Sequence, residues 1–180
     1  MGTAPLYVAF DLETTGLNVV TDNIVTATVV GLSGVDVDLL LTPTVPISAE
    51  AQAVHGITNE YAAEHGMDYA EGLTKLGDAL TAAWDAGAVI VGHNISGMDL
   101  PMIRMQERRV FGSPRTKLGP FLDTYSAYKK AFPDRRHRLV DACEHLGILL
   151  DNAHDAHADA EASRDLAYIL YAMSQEGTAA

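Results

Sequence analysis

LYVAFDLETTG, residues Leu6–Gly16, is the stretch that decides the fold. Its first part, Leu6–Leu12, is an apolar run rich in strand-forming residues, so it predicts a buried β-strand. The Thr-Thr-Gly that follows is typical of a turn. Asp11 and Glu13 stand two residues apart where this strand ends, so their side chains are expected to leave the same face of the sheet.

The two acids would then lie side by side. Like charges repel each other, and burial raises the cost of that repulsion. Such a pair predicts either a shared proton or a bound cation. The alternative is that the strand has already ended and that Asp11 and Glu13 are solvated loop residues.

The segments around this strand predict a mixed α/β domain. Residues 23–32 and 35–42 are strand-like and joined by a turn at Ser33-Gly34, which indicates an antiparallel meander. Residues 88–91 and 121–122 are two further strand candidates that alternate with helical periodicity. Helices are predicted from Ser48 and at residues 69–86, 98–110, 124–131, 139–146 and 158–174. This order predicts a mixed five-stranded sheet flanked by helices.

Length and cysteine content narrow the class of protein. The 180 residues predict one domain over residues 1–174 and a disordered tail at residues 175–180. Cys143 is the single cysteine, which excludes an intrachain disulfide and fits a reducing compartment. Because no secretory signal and no membrane-length apolar run are found, a cytoplasmic location without membrane attachment is expected.

The charge is unevenly distributed along the chain. The net charge of −12 excludes a generally basic surface of the kind that coats nucleic acid. Residues 104–138 nevertheless contain ten of the twelve lysines and arginines and only three acids. This asymmetry favours an anionic partner on one side, although a solvated basic face without a ligand would have the same composition.

Two further acids stand near the predicted starts of helices. Asp99 shares a helical face with Met102 and Ile103 at about 100° per residue, and the alternative is an N-terminal capping acid. Asp159 lies within the apolar stripe of the last predicted helix, where no lysine or arginine can pair with it. A bound metal ion would satisfy such an acid, and a set of oxygen ligands favours Mg²⁺ or Mn²⁺ over zinc.

Two histidines accompany Asp159. His154 precedes the last predicted helix and can reach the same site if it lies on the loop before that helix. A histidine with a pKa near neutrality can accept the proton of an attacking water molecule. His157 is interpreted as a surface or packing histidine.

Three motifs follow one another along the chain: FDLETTG at Phe10–Gly16, GHNISGMD at Gly92–Asp99 and HDAHAD at His154–Asp159. They resemble the motifs of the DnaQ-like family of 3′–5′ exonucleases, in its DEDDh branch. The best-known member of that family is the proofreading epsilon subunit of bacterial DNA polymerase III. The resemblance covers almost the whole chain and implies a ribonuclease-H-like fold.

The resemblance also implies a set of site residues. Four acids would hold two Mg²⁺ or Mn²⁺ ions: Asp11, Glu13, Asp99 and Asp159. His154 would be the general base. Five residues would contact the nucleic acid: Thr14, Thr15, Leu17, His55 and Asn94.

The implied activity is removal of nucleotides, one at a time, from DNA 3′ ends as nucleoside monophosphates, in proofreading or DNA repair. RNA ends or short oligoribonucleotides are the alternative substrate, because two-metal cleavage neither requires nor excludes a 2′-hydroxyl. DNA is favoured by the resemblance to the proofreading subunit. A polymerase is a further expected partner, although nothing in the chain resembles the C-terminal segment with which the epsilon subunit binds its polymerase.

An alternative of another class is a non-catalytic nucleic-acid-binding module on the same fold. Degenerate modules are expected to lose metal ligands. This chain keeps all four acids and the histidine, so an enzyme is favoured over a binding module.

Overall fold

The computed structural model describes residues 4–31, 37–151 and 153–176. The turn predicted at Ser33-Gly34 and the last tail residues, 177–180, lie outside this description. The strands are β1 (Tyr7–Thr14), β2 (Ile24–Val30), β3 (Val37–Leu40), β4 (Val89–Gly92) and β5 (Phe121–Asp123).

The five strands form one sheet in the order β3-β2-β1-β4-β5. The pairs β1–β2 and β2–β3 are antiparallel, whereas β1–β4 and β4–β5 are parallel. The predicted mixed five-stranded sheet is therefore confirmed. The strand with the paired acids lies at its centre.

The helices surround this sheet. They are α1 (Ala49–His55), α2 (Asn59–His65), α3 (Tyr69–Asp85), α4 (Asp99–Phe111), α5 (Thr124–Ala131), α6 (Leu139–Leu146) and α7 (Ala156–Glu176). None of the described helices is both long and apolar enough to cross a bilayer.

Helix α2 was not predicted from the sequence. It buries only Ala62, so it carries no apolar periodicity that would indicate a helix. Its start is fixed by a cap, since the Thr58 hydroxyl accepts a hydrogen bond from the Tyr61 N–H at 3.1 Å.

Helix α7 is longer than predicted at both ends. It begins two residues early because Asp155 Oδ1 accepts hydrogen bonds from the N–H groups of His157 (3.1 Å) and Ala158 (3.0 Å). It ends at Glu176, so residues 175 and 176 belong to the helix and not to the predicted tail.

Strand β1 is covered on both faces, which explains its nearly continuous apolar run. Phe10 belongs to a core cluster with Leu73 of α3. Tyr7 and Ala9 belong to a second cluster with Ala160 of α7. Side chains alternate along a strand, so the acids that follow at odd positions project toward α7.

Candidate active site

The first part of the site is the C-terminal half of β1. Asp11 and Glu13 lie opposite Thr28 and Thr26 of β2, and the strand continues through Thr14. Both acids are partly buried, and the side chains between and beside them are buried. The alternative that the strand ends before these acids is therefore wrong, and the strand holds both carboxylates on one face.

The second part is the start of α4. Asp99 is the first residue of the helix and only 5% exposed. The N-cap is Met98, which makes no side-chain capping bond, so Asp99 is not the N-cap residue of α4. Gly92 lets the preceding strand approach β1, because a Cβ atom there would lie 2.6 Å from the carbonyl oxygen of Phe10. Asp99 is thereby placed beside the end of β1.

Asp123 fixes the loop between β4 and α4. Its carboxylate accepts hydrogen bonds from the N–H groups of Asn94 (3.1 Å) and Ser96 (3.2 Å) and from the Ser96 hydroxyl. Asn94 itself has a positive φ of 70°. No role was predicted for Asp123, because its partners belong to a loop 27 or more residues away in the sequence.

The third part is the loop before α7. His154 has a positive φ of 73°, and its N–H donates to Asp159 Oδ2 at 3.2 Å. The other oxygen, Asp159 Oδ1, is buried and has no hydrogen-bond partner among the described residues. A buried, unsatisfied carboxylate oxygen is costly, so this atom indicates a ligand. His157 lies on the surface, as predicted, with its ring 3.9 Å from Glu161.

Burial and neighbouring charges raise the pKa of all four acids from these segments. Burial is the largest cause in each case. It raises the pKa of Glu13 to about 8, with further contributions from Asp159 and Asp99. It raises the pKa of Asp99 to about 7, against backbone N–H groups that lower it. The pKa of Asp11 lies well above its usual range because of burial and then the charges of Asp99 and Asp159.

These raised pKa values have one physical meaning. Without a cation, burial in this cluster favours the protonated form of each carboxylate over its usual charged form, because full ionisation would place several negative charges together. Positive charge therefore stabilises the site. Bound protons supply it at low pH, and a bound cation would supply it at higher pH.

The residues present fit a divalent metal ion. One potential ligand atom from each of Glu13, His154 and Asp159 lies within 4.8 Å of the other two. The surrounding donors are mainly carboxylate oxygens, which suit a hard cation such as Mg²⁺ or Mn²⁺. The unsatisfied Oδ1 of Asp159 supplies a free oxygen for such an ion.

One cavity lies beside Glu13. Its volume is about 360 Å³, and its lining includes Thr14, Leu17, Val54 and His55. Leu17 is 89% exposed, which is unusual for a leucine and gives the cavity an apolar edge.

Thr15 and His55, two of the predicted substrate contacts, have different surroundings. Thr15 is only 1% exposed, and its hydroxyl accepts from the Asn23 N–H at 3.0 Å, so its side chain holds the loop after β1. The Nδ1 of His55 accepts from the Ile57 N–H at 3.1 Å. Burial lowers the pKa of His55, so its neutral form is favoured.

A second cavity lies on the other side of the acids. Its volume is about 500 Å³, and its lining includes Asn94, Tyr125, Arg138, His154 and Asp159. No pattern in the sequence marks Tyr125 as a site residue. Arg138 is marked only weakly, as one of ten cations in the basic stretch.

The cations of residues 104–138 are distributed over several parts of the molecule. Arg104 and Arg108 line a different cavity, between α4 and β5. Arg109 donates to the carbonyl oxygens of Val20 and Thr21. Arg138 is the cation of this stretch that lines the cavity of His154 and Asp159.

The comparison with protein families places the chain among nucleases. The model of the exonuclease family (RNase_T) matches residues 8–167, so the chain belongs to this family. The predicted membership of a DnaQ-like exonuclease family and the predicted ribonuclease-H-like fold are thereby confirmed.

Among similar sequences are bacterial DNA polymerases III of the PolC type. The chain is 31% identical over 180 residues to DNA polymerase III PolC-type of Latilactobacillus sakei subsp. sakei (strain 23K). It is 27% identical over 175 residues to the PolC-type enzyme of Bacillus subtilis (strain 168). Each comparison covers 94% of this chain but only 11% of the polymerase. The chain therefore spans about a tenth of the length of these relatives.

Among solved structures, E. coli Exonuclease I in complex with a dT13 oligonucleotide has a TM-score of 0.76 at 19% sequence identity. That comparison covers 93% of this chain and 41% of the other. A moderately thermophilic Exonuclease I from Methylocaldum szegediense gives a TM-score of 0.73 at 23% identity, covering 93% and 40% of the two chains. At these identities the likeness shows the fold.

Proposed function

We propose that this chain is a metal-dependent 3′–5′ exonuclease of the DEDDh type, which releases nucleoside monophosphates from DNA 3′ ends. One observation carries the proposal. Four acids from three distant segments lie close together with raised pKa values, two of them beside His154, and one buried oxygen, Asp159 Oδ1, is left without a partner among the described residues. A structural role alone does not explain such an arrangement, since it destabilises the metal-free fold.

Each residue has a distinct role in the proposed reaction. Two Mg²⁺ or Mn²⁺ ions, held by Asp11, Glu13, Asp99 and Asp159, would supply Lewis-acid stabilisation of the scissile phosphate and lower the pKa of the attacking water. His154 accepts the proton of that water as its oxygen bonds to phosphorus. The bond from phosphorus to the 3′-oxygen of the preceding nucleotide breaks, and that oxygen takes a proton from solvent.

Asp159 also positions the general base, His154. Its Oδ2 accepts the hydrogen bond of the His154 N–H, which fixes the left-handed backbone at that residue. His154 is exposed, so its imidazole remains accessible to solvent and substrate. One carboxylate would thus hold the ion through Oδ1, while its Oδ2 positions the general base.

The smaller cavity suits the terminal nucleoside. Leu17 and Val54, which are 89% and 51% exposed, offer apolar surface to a base. The neutral form of His55 and the Thr14 side chain add polar groups at the same cavity. No lysine or arginine is among its lining residues, and a 3′-terminal nucleoside carries no phosphate beyond its own scissile one.

DNA is the proposed substrate class. The similar sequences are DNA polymerases, and one similar structure binds a dT13 oligonucleotide. These relatives also support a role in proofreading or DNA repair, with a polymerase as partner.

A gel time course tests the proposal. Single-stranded DNA and RNA of one sequence, blocked at the 3′ or the 5′ end, are incubated with the protein in Mn²⁺ or in EDTA. We expect a one-nucleotide ladder from free DNA 3′ ends in Mn²⁺ only. Asp159→Asn and His154→Ala should abolish the ladder, whereas Asp165→Asn, an exposed acid of the same helix, should retain it.

The other outcomes are equally clear. A ladder from 5′ ends, or full activity of Asp159→Asn, would contradict the proposal. Cleavage of RNA alone would replace DNA by RNA as the substrate. A folded wild-type protein that binds DNA without cleaving it in Mn²⁺ would favour the non-catalytic module.

A further inference from the structure

We infer that the larger cavity, beside Arg138, binds the nucleotide on the 5′ side of the scissile bond, with the Arg138 guanidinium contacting the next phosphodiester along the strand. The inference rests on the proposed function and assigns the second half of the substrate to a cavity whose cation, Arg138, lies outside the three motifs. Arg138 would thus be a substrate-binding residue of the exonuclease.

The positions of the two cavities suggest this assignment. Glu13 lines the smaller cavity, whereas His154 and Asp159 line the larger one. The ligand atoms of these three residues lie within 4.8 Å of one another, so the cavities meet at the proposed reaction centre. A phosphodiester that is cleaved there has a nucleoside on each side and therefore needs two subsites.

The charges of the lining residues indicate which nucleotide occupies each cavity. The smaller cavity is lined by the acids Glu13 and Glu50 and by no lysine or arginine. It suits the terminal nucleoside, which ends in a hydroxyl group. The preceding nucleotide carries a further phosphodiester, whose negative charge is best met by a cation. Arg138 supplies that cation in the larger cavity.

The guanidinium of Arg138 is held in a defined orientation. Its Nε and Nη2 donate to the two carboxylate oxygens of Asp141, at 2.6 Å and 2.9 Å. A guanidinium has five N–H donors, so this bidentate pair leaves donors for a phosphate oxygen. The side chain is 69% exposed, so a strand of nucleic acid can reach it.

The same cavity also provides surface for a base. Leu139, Val140, Leu150 and Ala153 contribute apolar groups, and Tyr125 contributes an aromatic ring. Bases stack on such surfaces without regard to sequence, as an exonuclease requires. The cavity of about 500 Å³ is also larger than the one proposed for the terminal nucleoside.

Two substrates distinguish binding of the preceding nucleotide by Arg138 from the hydrolysis step itself. One is a 12-residue oligothymidylate, and the other is the p-nitrophenyl ester of thymidine 5′-monophosphate, which contains the scissile bond and one nucleoside but no preceding nucleotide. We expect Arg138→Gln to lower kcat/KM on the oligonucleotide about tenfold, mainly through KM, and to flatten the salt dependence by about one phosphate contact. The loss on the ester should be at least fivefold smaller.

Two further variants complete the experiment. Arg108→Gln is the matched control, because Arg108 is an exposed arginine that lines the separate cavity between α4 and β5, and it should behave as the wild type on the oligonucleotide. Asp141→Asn should give a smaller loss than Arg138→Gln, because it frees the guanidinium without removing it. Arg138 makes no side-chain capping bond to α6, so its replacement should leave the thermal midpoint within a few degrees.

The outcomes distinguish the two proposals. Equal losses of Arg138→Gln on both substrates, or no loss on either, would overturn the assignment of the cavity while leaving the exonuclease in place. A wild-type protein that hydrolyses neither substrate would contradict the proposed function itself, and the subsite would fall with it.

Discussion

Glu107 on α4 is buried, and so, at least partly, are the acids around the end of β1. The two regions differ in the hydrogen-bond donors that surround the carboxylates. Glu107 is 1% exposed and accepts hydrogen bonds from the Arg115 N–H (2.9 Å), the Thr116 N–H (3.1 Å) and the Thr116 hydroxyl (2.5 Å). Asp159, in contrast, keeps one buried oxygen without a partner among the described residues.

The difference separates a structural acid from a functional one. Glu107 is surrounded by donors that stabilise its charge and close the loop after α4. The acids at the end of β1 are surrounded mainly by one another, so their charges oppose folding until a cation is bound. Burial alone does not indicate function, but a buried carboxylate oxygen without a donor, such as Asp159 Oδ1, does.

The largest expected effect is on activity when one clustered acid is neutralised. Asp11→Asn should lower kcat/KM on oligothymidylate in Mn²⁺ by at least about 10³-fold, roughly 4 kcal/mol of transition-state stabilisation. In EDTA at pH 7.5, the same variant should have a higher thermal midpoint than the wild type, because a buried acid whose ionisation opposes folding is replaced by a neutral amide. A lower midpoint in EDTA would contradict the view that this acid destabilises the metal-free fold.

The sequence predicted the clustered acids because their positions within regular elements are informative. Asp11 and Glu13 stand two residues apart in the last part of an apolar strand, so they share one face of the sheet. Asp159 lies within an apolar helical stripe. The central strand, the mixed sheet and the family followed from the same periodicity and from the three motifs. Tertiary structure adds that the three segments meet at one end of the sheet.

Residues whose partners are loop backbone groups were not predictable in this way. Glu107 bonds to residues eight and nine positions later in an irregular segment, and in the sequence it was only an acid within a basic stretch. Asp123 was missed for the same reason, and the position of Arg138 beside the site likewise depends on the tertiary structure. Their roles depend on which loop lies beside them, and no periodicity reports that.

An intermediate effect concerns pH and metal binding. The acids of the cluster have raised pKa values in the metal-free fold, about 8 for Glu13 and about 7 for Asp99, against about 4 in the unfolded chain. The folded state therefore binds more protons than the unfolded state between these values. The contribution of these groups to stability is present below pH 4 and is lost as pH rises toward 8.

A bound divalent metal ion should reverse this loss of stability at higher pH. In EDTA, the midpoint should fall between pH 5.5 and pH 8 by more in the wild type than in Asp11→Asn. Mn²⁺ at 100 times its dissociation constant should stabilise the fold by about 2.7 kcal/mol at pH 8. The gain should be smaller at pH 5.5, where protons compete for the ligands. Scanning fluorimetry checks this, and an equal gain at both pH values would contradict it.

The smallest expected effect is the converse substitution at the structural acid. Glu107→Gln replaces a carboxylate that accepts from the Arg115 and Thr116 N–H groups and from the Thr116 hydroxyl, and its new NH₂ group faces donors instead of acceptors. We expect a loss of about 2 kcal/mol in the free energy of unfolding by urea, the same in EDTA and in Mn²⁺. Activity per folded molecule should stay at the wild-type level, since no clustered acid is changed. If Glu107→Gln were stabilised in EDTA like Asp11→Asn, hydrogen bonding would not be what distinguishes the two regions.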